Sequence, residues 1–353
     1  MSSSAPPPIA KHLEVTPYFN SGSDVFQNKH PLWSPGTRGI FGGITIGQGL
    51  RAAQLTVPDT FSAHSMHCSF IYAGNTEDHI TYHVESVRNG RSFCTRFVRA
   101  VQGDQPIFLA IVSFTLSMRR ATATYLDHAT TMPANVPETS DNVPGSSEVY
   151  GITPDTPFVN KSVGVLKTSA GSSSPQDKRI HQWIRARGTL VSQAGDPLHL
   201  AALAFMSDSY FLAAVPHCHG IWGFVRVPVS EFYSASKDMF GPSKTHATIQ
   251  RPHLDSSRDN DEDESPRVAM MVSLDHTIYF HNTEGLRADQ WLLAEVQSSW
   301  AGDGRGLVHQ KIWTRDGTLV ATCIQEVGLL SMPLSRNRPT AEIFRESFVW
   351  IGH

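Results

Sequence analysis

The stretch RGIFGGITIGQGLRAAQLTVP, residues 38–58, combines an apolar run with several glycines. A phosphate-binding glycine loop would follow a buried strand and open a helix within a βαβ unit. The segment NKHPLWSPGTRG before Gly42 is instead typical of a loop, and the GxxxxGK[ST] pattern is absent. We therefore predict a helix that starts near Gly43 and binds no phosphate. Gly47 and Gly49 inside it indicate that another backbone passes close by, which a sheet wrapped around the helix would explain.

Composition places the chain among soluble globular proteins. Its 353 residues, of which 40% are hydrophobic, are enough for two domains with cores of their own. The formal net charge of −3 gives no electrostatic reason to expect nucleic acid or an acidic membrane surface as a partner. No apolar segment approaches the length of a membrane span, and the first residues lack the apolar core of a signal peptide. We expect neither nucleic acid nor membrane as a partner.

Cysteine usage bears on the cellular location. The 4 cysteines are widely separated and lie mostly in apolar runs, at Cys68, Cys94, Cys218 and Cys323. This distribution is typical of reduced core thiols in an intracellular protein. The final residues, WIGH, differ from the SKL peroxisomal address. The sequence favours a cytoplasmic location, with the peroxisome as the alternative.

One unit occurs twice along the chain. The segments HITYHVESV, SFCTRFVRAV and PIFLAIVSFTL are separated by turn signals at Asn89-Gly90 and Gly103-Asp104, which predicts an antiparallel meander. The segments WLLAEVQSSW, LVHQKIWT and TLVATCIQEVGLL repeat this plan near the C-terminus. A shift of 214 residues lays Gly90 on Gly304 and Gly103 on Gly317. We interpret the agreement as an internal duplication.

An apolar helix precedes each meander. The second helix lies in GDPLHLAALAFMSDSYFLAAVPHCHG, where Asp196 can cap it, Pro197 suits its first turn and Pro216 ends it. Because it is apolar nearly all round, we expect it to be buried.

Two segments differ in composition from these units. Residues 121–176 are rich in Thr, Ser, Pro and Gly and are predicted to be a linker with little regular structure. Residues 234–267 contain HLDSSRDNDEDESPR, whose acidic run lacks the spacing of a calcium loop. We interpret the second segment as a solvated acidic insertion.

A glycine-flanked helix wrapped by an antiparallel sheet, present twice, resembles a double hotdog fold. The specific match is to the acyl-CoA thioesterase II family, at FGGITIGQGL, HSMHCSFIYAG, RNGRSF with QGDQPIF, LDHTIYFH and RDGTLVATCIQEV. The resemblance implies an α+β fold with two antiparallel sheets, each wrapped around a central helix. It implies an N-terminal hotdog domain at residues 15–120, the linker at 121–176, and a C-terminal hotdog domain at 177–335 that contains the acidic insertion.

The resemblance also implies an activity, the hydrolysis of fatty acyl-CoA to free acid and CoA without cofactor or metal. In that family an Asp in the second helix, a Ser or Thr in the following strand and a Gln in the last strand hold and activate a water. Matched block by block, these roles fall on Asp208, Ser273 and Gln325. The long insertion between Asp208 and Ser273 departs from the family and bears on the edge of the pocket. Further assembly into a homo-oligomer is implied as well.

Two of the three residues stand out from the sequence pattern alone. Asp208 shares a helical stripe with apolar residues, namely Ala201, Ala204, Phe205, Phe211 and Leu212. Desolvation would raise its pKa towards the range of a general base, and the alternative is that it bonds backbone groups in a bend of the helix. Gln325 lies on an apolar strand face, where its amide could hold a water or substrate carbonyl, or bond a neighbouring strand. Ser273 is supported by the resemblance only.

Other readings stay open at this point. Asp275, His276 and His281 in LDHTIYFH could form an acid–base group, and we treat them as strand and pocket-wall residues. The segment Pro216-His217-Cys218-His219 lacks a second ligand pair and is better explained as the end of a helix. The alternative functions are a hotdog hydratase or dehydratase, a thioesterase that releases one biosynthetic product, and a non-catalytic acyl-CoA binding module.

Overall fold

The computed structural model describes residues 6–18, 24–35, 39–116, 126–134, 136–139, 155–167, 174–221 and 267–332. The acidic insertion, except for its last residue, lies outside these ranges. The helices are α1 Pro8–Leu13, α2 Gly42–Gln54, α3 Pro197–Ser207 and α4 Phe211–Cys218, with short 3-10 turns at Pro175–Asp177 and Thr283–Gly285. The strands are β1 Val15–Pro17, β2 Val25–Asn28, β3 Phe61–Phe70, β4 Thr81–Asn89, β5 Phe93–Gln102, β6 Gln105–Leu116, β7 Phe158–Lys167, β8 Lys178–Ala186, β9 Arg267–Ser273, β10 Asp275–Phe280, β11 Leu292–Gly302, β12 Arg305–Thr314 and β13 Leu319–Met332.

The described strands form one 13-stranded antiparallel sheet. Its order is β1-β2-β4-β5-β6-β3-β10-β13-β12-β11-β8-β7, and β9 pairs with β13 beside this path. The two predicted meanders are present as β4-β5-β6 and β11-β12-β13. The two sheets expected from the sequence are joined here into a single one, because β3 hydrogen-bonds to β10 along Asp275↔Ser69 to Tyr279↔Ser65. The two halves of the chain therefore share one continuous ladder of backbone hydrogen bonds.

Helix α2 begins at Gly42, as predicted, and is buried along most of its length. Gly49 faces the sheet, as predicted, with Phe108 Cε1 3.3 Å from the place of a Cβ, whereas the close neighbours at Gly43 and Gly47 lie in α3 and α1. A Cβ on Gly43 would lie 2.2 Å from the carbonyl oxygen of Phe205, and a Cβ on Gly47 would lie 2.6 Å from Leu13 Cδ2 and 3.3 Å from the carbonyl oxygen of Ala201. The glycines thus allow two buried helices to pack with their backbones almost in contact.

The second apolar helix is broken where the sequence predicted it to be continuous. Residues 208–210 separate α3 from α4, so the expected stripe does not continue beyond Asp208 as regular helix. The Asp196 side chain makes no cap hydrogen bond to α3 and instead accepts the N–H of Gln193 at 2.8 Å. Pro216 lies inside α4, which continues to Cys218.

The same stretch corrects the expectation about apolar length. Among the described residues, Pro197–Cys218, which takes in α3, the break and α4, is a stretch of 22 residues with a mean hydropathy of 1.5, long and apolar enough to cross a membrane by those two measures. Most of it is buried inside the protein, which accounts for its composition. The 4 cysteines are also buried, and all are free thiols, which confirms the prediction of core cysteines.

The predicted linker holds more structure than its composition indicated. Strand β7 lies within it and pairs with β8, at the edge of the sheet. Residues 126–139, as far as the structure describes them, run across the C-terminal half and are fixed by two tryptophans. Trp313 Nε1 donates to Thr130 O at 3.0 Å, and Trp183 Nε1 donates to Pro137 O at 2.9 Å. The composition of the segment did not predict these contacts, because they are made by its backbone carbonyls and not by apolar side chains.

Candidate active site

Asp208 lies where the second apolar helix breaks. It follows the last residue of α3 and is only 8% exposed. Its carboxylate lies beside the Gln325 side chain and the backbone N–H of Gly43 in the first turn of α2, and both of these donors favour its ionised form. The end of one helix therefore faces the start of the other, and the positive end of the α2 dipole lies beside the carboxylate.

Gly42 makes room for this carboxylate. A Cβ at Gly42 would lie 2.7 Å from Asp208 Oδ2 and 3.0 Å from the ring of Phe70. Within the part of the chain that the structure describes, the other oxygen, Oδ1, is buried and makes no hydrogen bond. One carboxylate oxygen is thus left with its lone pairs available to a further donor.

Burial controls the protonation of Asp208. Desolvation raises its pKa from 3.8 to about 7, and the hydrogen bonds from Gln325 and Gly43 oppose that rise. Without those two donors, the carboxylate would be protonated at neutral pH. With them, its pKa falls in the range where a carboxylate can both accept and release a proton.

The surroundings of the α2 start are aromatic. Phe41 packs against Phe205 and Phe158 with ring centroids 5.3 Å and 5.8 Å apart, and Trp33 packs against Phe41 at 5.5 Å. Phe205 lies in α3 and touches Gly43, so this cluster is continuous with the wall of the site. It supplies the apolar environment that desolvates Asp208.

Gln325 and Ser273 lie next to Asp208. Gln325 projects from the buried face of β13, and its Nε2 donates to Ser273 Oγ at 2.8 Å. Ser273 is the last residue of β9, where that strand pairs with Val327 of β13. Because an amide nitrogen carries two hydrogens, Gln325 can donate to both the serine hydroxyl and the Asp208 carboxylate. The structure brings together all three residues that the sequence singled out.

Two further polar residues belong to this cluster. His276 of β10 is fully buried, with Nδ1 at 2.7 Å from Gln325 Oε1 and Nε2 at 3.0 Å from Ser207 Oγ. Sequence reasoning left His276 among the strand and pocket-wall residues, named Gly43 only as the start of a helix and did not consider Ser207. The alternation of side chains along β10 could have indicated His276, because it is buried whereas its neighbours Asp275 and Thr277 are partly exposed.

The remaining candidates make local contacts. Asp275 Oδ1 accepts the Glu326 N–H at 2.7 Å, and His281 Nε2 lies 3.0 Å from Thr322 Oγ1. In the segment considered as a metal site, His217 Nδ1 lies 2.6 Å from the Tyr210 hydroxyl. Among the described residues, no group of three His, Cys, Asp or Glu side chains is arranged to hold a metal ion.

Known proteins are similar to this chain along nearly its whole length. The family described as "Acyl-CoA thioesterase N-terminal domain" matches residues 29–115, and "Acyl-CoA thioesterase C-terminal domain" matches residues 133–329. Acyl-coenzyme A thioesterase 8 of Rattus norvegicus is 30% identical over 326 residues, which cover 88% of this chain and 86% of that protein. The peroxisomal acyl-coenzyme A thioester hydrolase 1 of Saccharomyces cerevisiae is 24% identical, covering 90% and 93%.

Solved structures extend the comparison to the fold. The acyl-CoA thioesterase II of Mycobacterium marinum superposes with a TM-score of 0.61 at 25% identity, covering 94% of this chain and 99% of that chain. A protein of Alicyclobacillus acidocaldarius described as having a hot dog fold superposes with a TM-score of 0.55 at 17% identity, covering 91% and 97%, and so bears on the fold alone. With both halves matched in order, the chain belongs to the acyl-CoA thioesterase II family of thioester hydrolases.

Proposed function

We propose that this enzyme hydrolyses fatty acyl-CoA to free fatty acid and CoA, with Asp208 as general base and with Ser273 and Gln325 holding the water. One observation carries the proposal: a buried carboxylate with a pKa of about 7 lies beside an amide that bonds a serine hydroxyl. These are the groups needed to hold a water and take its proton near neutral pH. The names of the relatives support acyl-CoA as the substrate.

The proposed reaction is a direct hydrolysis. Asp208 accepts a proton from the water, whose oxygen forms a bond to the thioester carbonyl carbon. The carbonyl electrons move to oxygen and return as the C–S bond breaks, and the thiolate of CoA takes the proton from Asp208. No acyl-enzyme forms. The developing oxyanion requires a donor, for which a backbone N–H and the Gln325 amide are the candidates.

A thiol-release assay over a panel of saturated acyl-CoAs tests this proposal. Asp208→Asn preserves shape but removes the proton acceptor, so we expect hydrolysis to fall by roughly two orders of magnitude or more. Substrate binding and folding should survive. Asp196→Asn is a matched control, because that carboxylate bonds only the Gln193 N–H among the contacts described at the start of α3. A near wild-type rate in Asp208→Asn would rule out the proposed base.

The same assay separates the alternative functions. A hydratase would release no thiol from saturated acyl-CoAs and would hydrate unsaturated ones. A binding module would do neither, and Asp208 would be dispensable. A thioesterase dedicated to one biosynthetic product would act on one member of a broad panel and leave the simple fatty acyl-CoAs almost untouched. Hydrolysis across a range of chain lengths is the outcome that our proposal requires.

We also propose that the architecture is a double hotdog, with units at residues 15–120 and 177–335 and with α2 and α3 as their central helices. The mirrored strand order on the two sides of the β3–β10 join supports this division. The pairing of β7 with β8 indicates that the second unit also takes in Phe158–Lys167 from the linker. An experimental structure in which α2 or α3 packed outside the curve of the sheet would contradict the assignment.

Assembly into a homo-oligomer is supported by the outer face of the sheet. Phe93 of β5, Ile111 of β6 and Tyr279 of β10 are large apolar side chains that are 48%, 49% and 39% exposed. Scattered single residues would need no explanation, but these lie on β5, β6 and β10, which are all within three strands of β3 at the join of the two halves. Light scattering should give a mass that is a multiple of 38.9 kDa. A monomeric mass at micromolar concentration would contradict the proposal.

For the location, the yeast relative provides the one direct indication, since it is named a peroxisomal enzyme. That name favours the peroxisome over the cytoplasm for this chain. Imaging of an internally tagged chain beside a peroxisomal marker separates the two locations, with a diffuse signal favouring the cytoplasm.

A further inference from the structure

The imidazole of His276 connects the two elements that carry Asp208 and Gln325. Nδ1 faces the Gln325 side chain on β13, and Nε2 faces Ser207, the residue before Asp208. Phe211, the first residue of α4, packs edge-on against the ring at 5.2 Å between centroids. Each ring nitrogen therefore has one polar partner, and the ring has little freedom to turn.

These contacts determine where the proton lies. Burial lowers the pKa of His276 to about 4, so the ring is neutral at physiological pH and carries a single N–H. The Gln325 atom beside Nδ1 is Oε1, which can only accept a hydrogen bond. The proton must therefore be on Nδ1. Nε2 is then an acceptor, and the Ser207 hydroxyl donates to it.

The opposite arrangement conflicts with the charge of Asp208. Ser207 Oγ also lies 2.9 Å from the carbonyl oxygen of Ala204, and it could donate there if Nε2 carried the proton. Gln325 would then have to turn its amide over and present nitrogen to Nδ1. That rotation would place Oε1 against the ionised carboxylate of Asp208, where two acceptors repel each other.

We propose that His276 is a positioning residue, whose Nδ1–H holds the Gln325 amide with its nitrogen directed at Asp208 and Ser273. The inference rests on the proposed function, because it assumes that Gln325 helps to hold the attacking water. It adds a residue that touches neither substrate nor water and that acts through the orientation of one amide.

The first test uses the wild-type enzyme labelled with ¹⁵N-histidine. We expect the His276 ring to carry its proton on Nδ1 and none on Nε2, with the signals assigned by their loss in His276→Asn. A ring protonated on Nε2 would overturn the inference. This measurement does not depend on catalysis, so it is separate from the outcome for Asp208.

The second test compares two polar substitutions of the same residue. In His276→Asn, the amide nitrogen can occupy the place of Nδ1 and keep the bond to Gln325. In His276→Gln, the longer side chain reaches the place of Nε2 and keeps the bond to Ser207. We expect His276→Gln to lose roughly 10- to 100-fold in kcat/KM, and His276→Asn to restore most of that loss. His281→Asn is the control, because it removes a similar histidine contact to β13 away from the site.

The pH profile distinguishes positioning from a structural role. In His276→Gln, the loss of the Gln325 donor should raise the pKa of Asp208, so the acidic limb of the pH profile of kcat/KM should move upwards by about one pH unit. In His276→Asn the limb should stay in place. The other titratable groups beside Asp208 and His276 are Asp275 and the thiols of Cys68 and Cys323, and burial raises the pKa of each of these three. Equal losses in both variants with an unmoved limb would show a merely structural role. Wild-type turnover in Asp208→Asn and Gln325→Ala would instead refute the proposed function.

Discussion

At the scale of single residues, the site depends on a balance at Asp208. Its environment is apolar enough to protonate a carboxylate, and two donors, one from each half of the chain, return its pKa to about 7. Either donor alone would leave the group more protonated at neutral pH. A base that must gain and lose a proton in each cycle works best in this range.

The raised pKa predicts how stability depends on pH. The folded-state pKa of Asp208, about 7, lies above its unfolded value of 3.8, so the ionised form destabilises the fold. This penalty is complete above the folded pKa and fades as the pH falls towards the unfolded one. Asp208→Asn should therefore be more stable than wild type by roughly 2–4 kcal/mol at about pH 8, and the difference should shrink towards pH 4. Denaturant unfolding of both proteins across pH checks it, and a difference that grows on acidification contradicts it.

Residues that act on one water should not behave additively. Ser273→Ala and Gln325→Ala are each expected to lower kcat, because each removes a group that we propose to hold the water. In the Asp208→Asn background, either change should lower kcat by less than about threefold further, since the water is no longer deprotonated. Kinetics on the single and double variants measure this coupling. Independent, multiplying losses would show that these residues act on separate steps.

A site residue could be predicted from the sequence when its side chain differs in polarity from the residues around it. Asp208 and Gln325 interrupt apolar patterns, and that anomaly is visible without a structure. Ser273 was identified by resemblance alone, since a polar residue in a strand is ordinary. His276 was named but treated as a strand and pocket-wall residue, because its contacts are with Gln325 and Ser207, which lie 49 and 69 residues away in sequence.

At the scale of elements, the contact between α2 and α3 places the catalytic candidates. The glycines indicated close neighbours correctly, since Gly49 faces the predicted sheet, but they did not indicate that α3 is the neighbour of Gly43. Sequence periodicity describes the face of one helix, whereas the partner of that face is chosen by the packing of the whole chain. The break at residues 208–210 was hidden for the same reason, because Asp208 takes its hydrogen bonds from α2 and β13.

Two glycines of α2 provide a test of this contact. A Cβ at Gly43 would lie 2.2 Å from the backbone oxygen of Phe205, whereas the nearest atom at Gly49 would be Phe108 Cε1 at 3.3 Å. We expect Gly43→Ala to lower the free energy of unfolding by about 1–3 kcal/mol and to reduce activity, because the N–H beside Asp208 moves. Gly49→Ala should change stability by less than about 1 kcal/mol, since the helix gains propensity. Equal effects in chemical denaturation would argue against the close backbone contact.

The turns show a different limit of sequence reasoning. Asn89-Gly90 was predicted as a two-residue turn, but β4 and β5 close at Asn89↔Cys94 around a longer loop. The short turn occurs instead at Asp303-Gly304, where both residues have positive φ, 50° and 70°, between Gly302↔Arg305. The order of strands is repeated while the loop lengths are not, because loops tolerate insertion and strands that pack on a core do not. The single offset of 214 residues therefore indicates the repeated strand order, but it does not align every turn of one half with a turn of the other.

At the scale of the whole molecule, an end of α2 meets an end of α3 at two places, and these two places are not equivalent. Where α2 starts and α3 ends, Gly43 faces Asp208. Where α2 ends and α3 starts, Gln54 Nε2 donates to Pro197 O at 3.1 Å, and the carboxylate of the neighbouring Asp196 accepts the Gln193 N–H instead of a donor from α2. The related halves thus form one candidate site per chain, and both are needed to complete it.

Dividing the chain tests this interdependence. Residues 1–120 and 121–353, expressed as separate chains in one cell, should co-purify, because the β3–β10 ladder and the α2–α3 packing both cross between them. The reassembled pair should hydrolyse acyl-CoA, and residues 121–353 alone should not, since the donor of Gly43 to Asp208 belongs to the other piece. A pair that carries Gly43→Ala in the first piece is the matched control and should assemble less well. Full hydrolysis by residues 121–353 alone would mean that the second half holds a complete site and that the contact with α2 serves stability only.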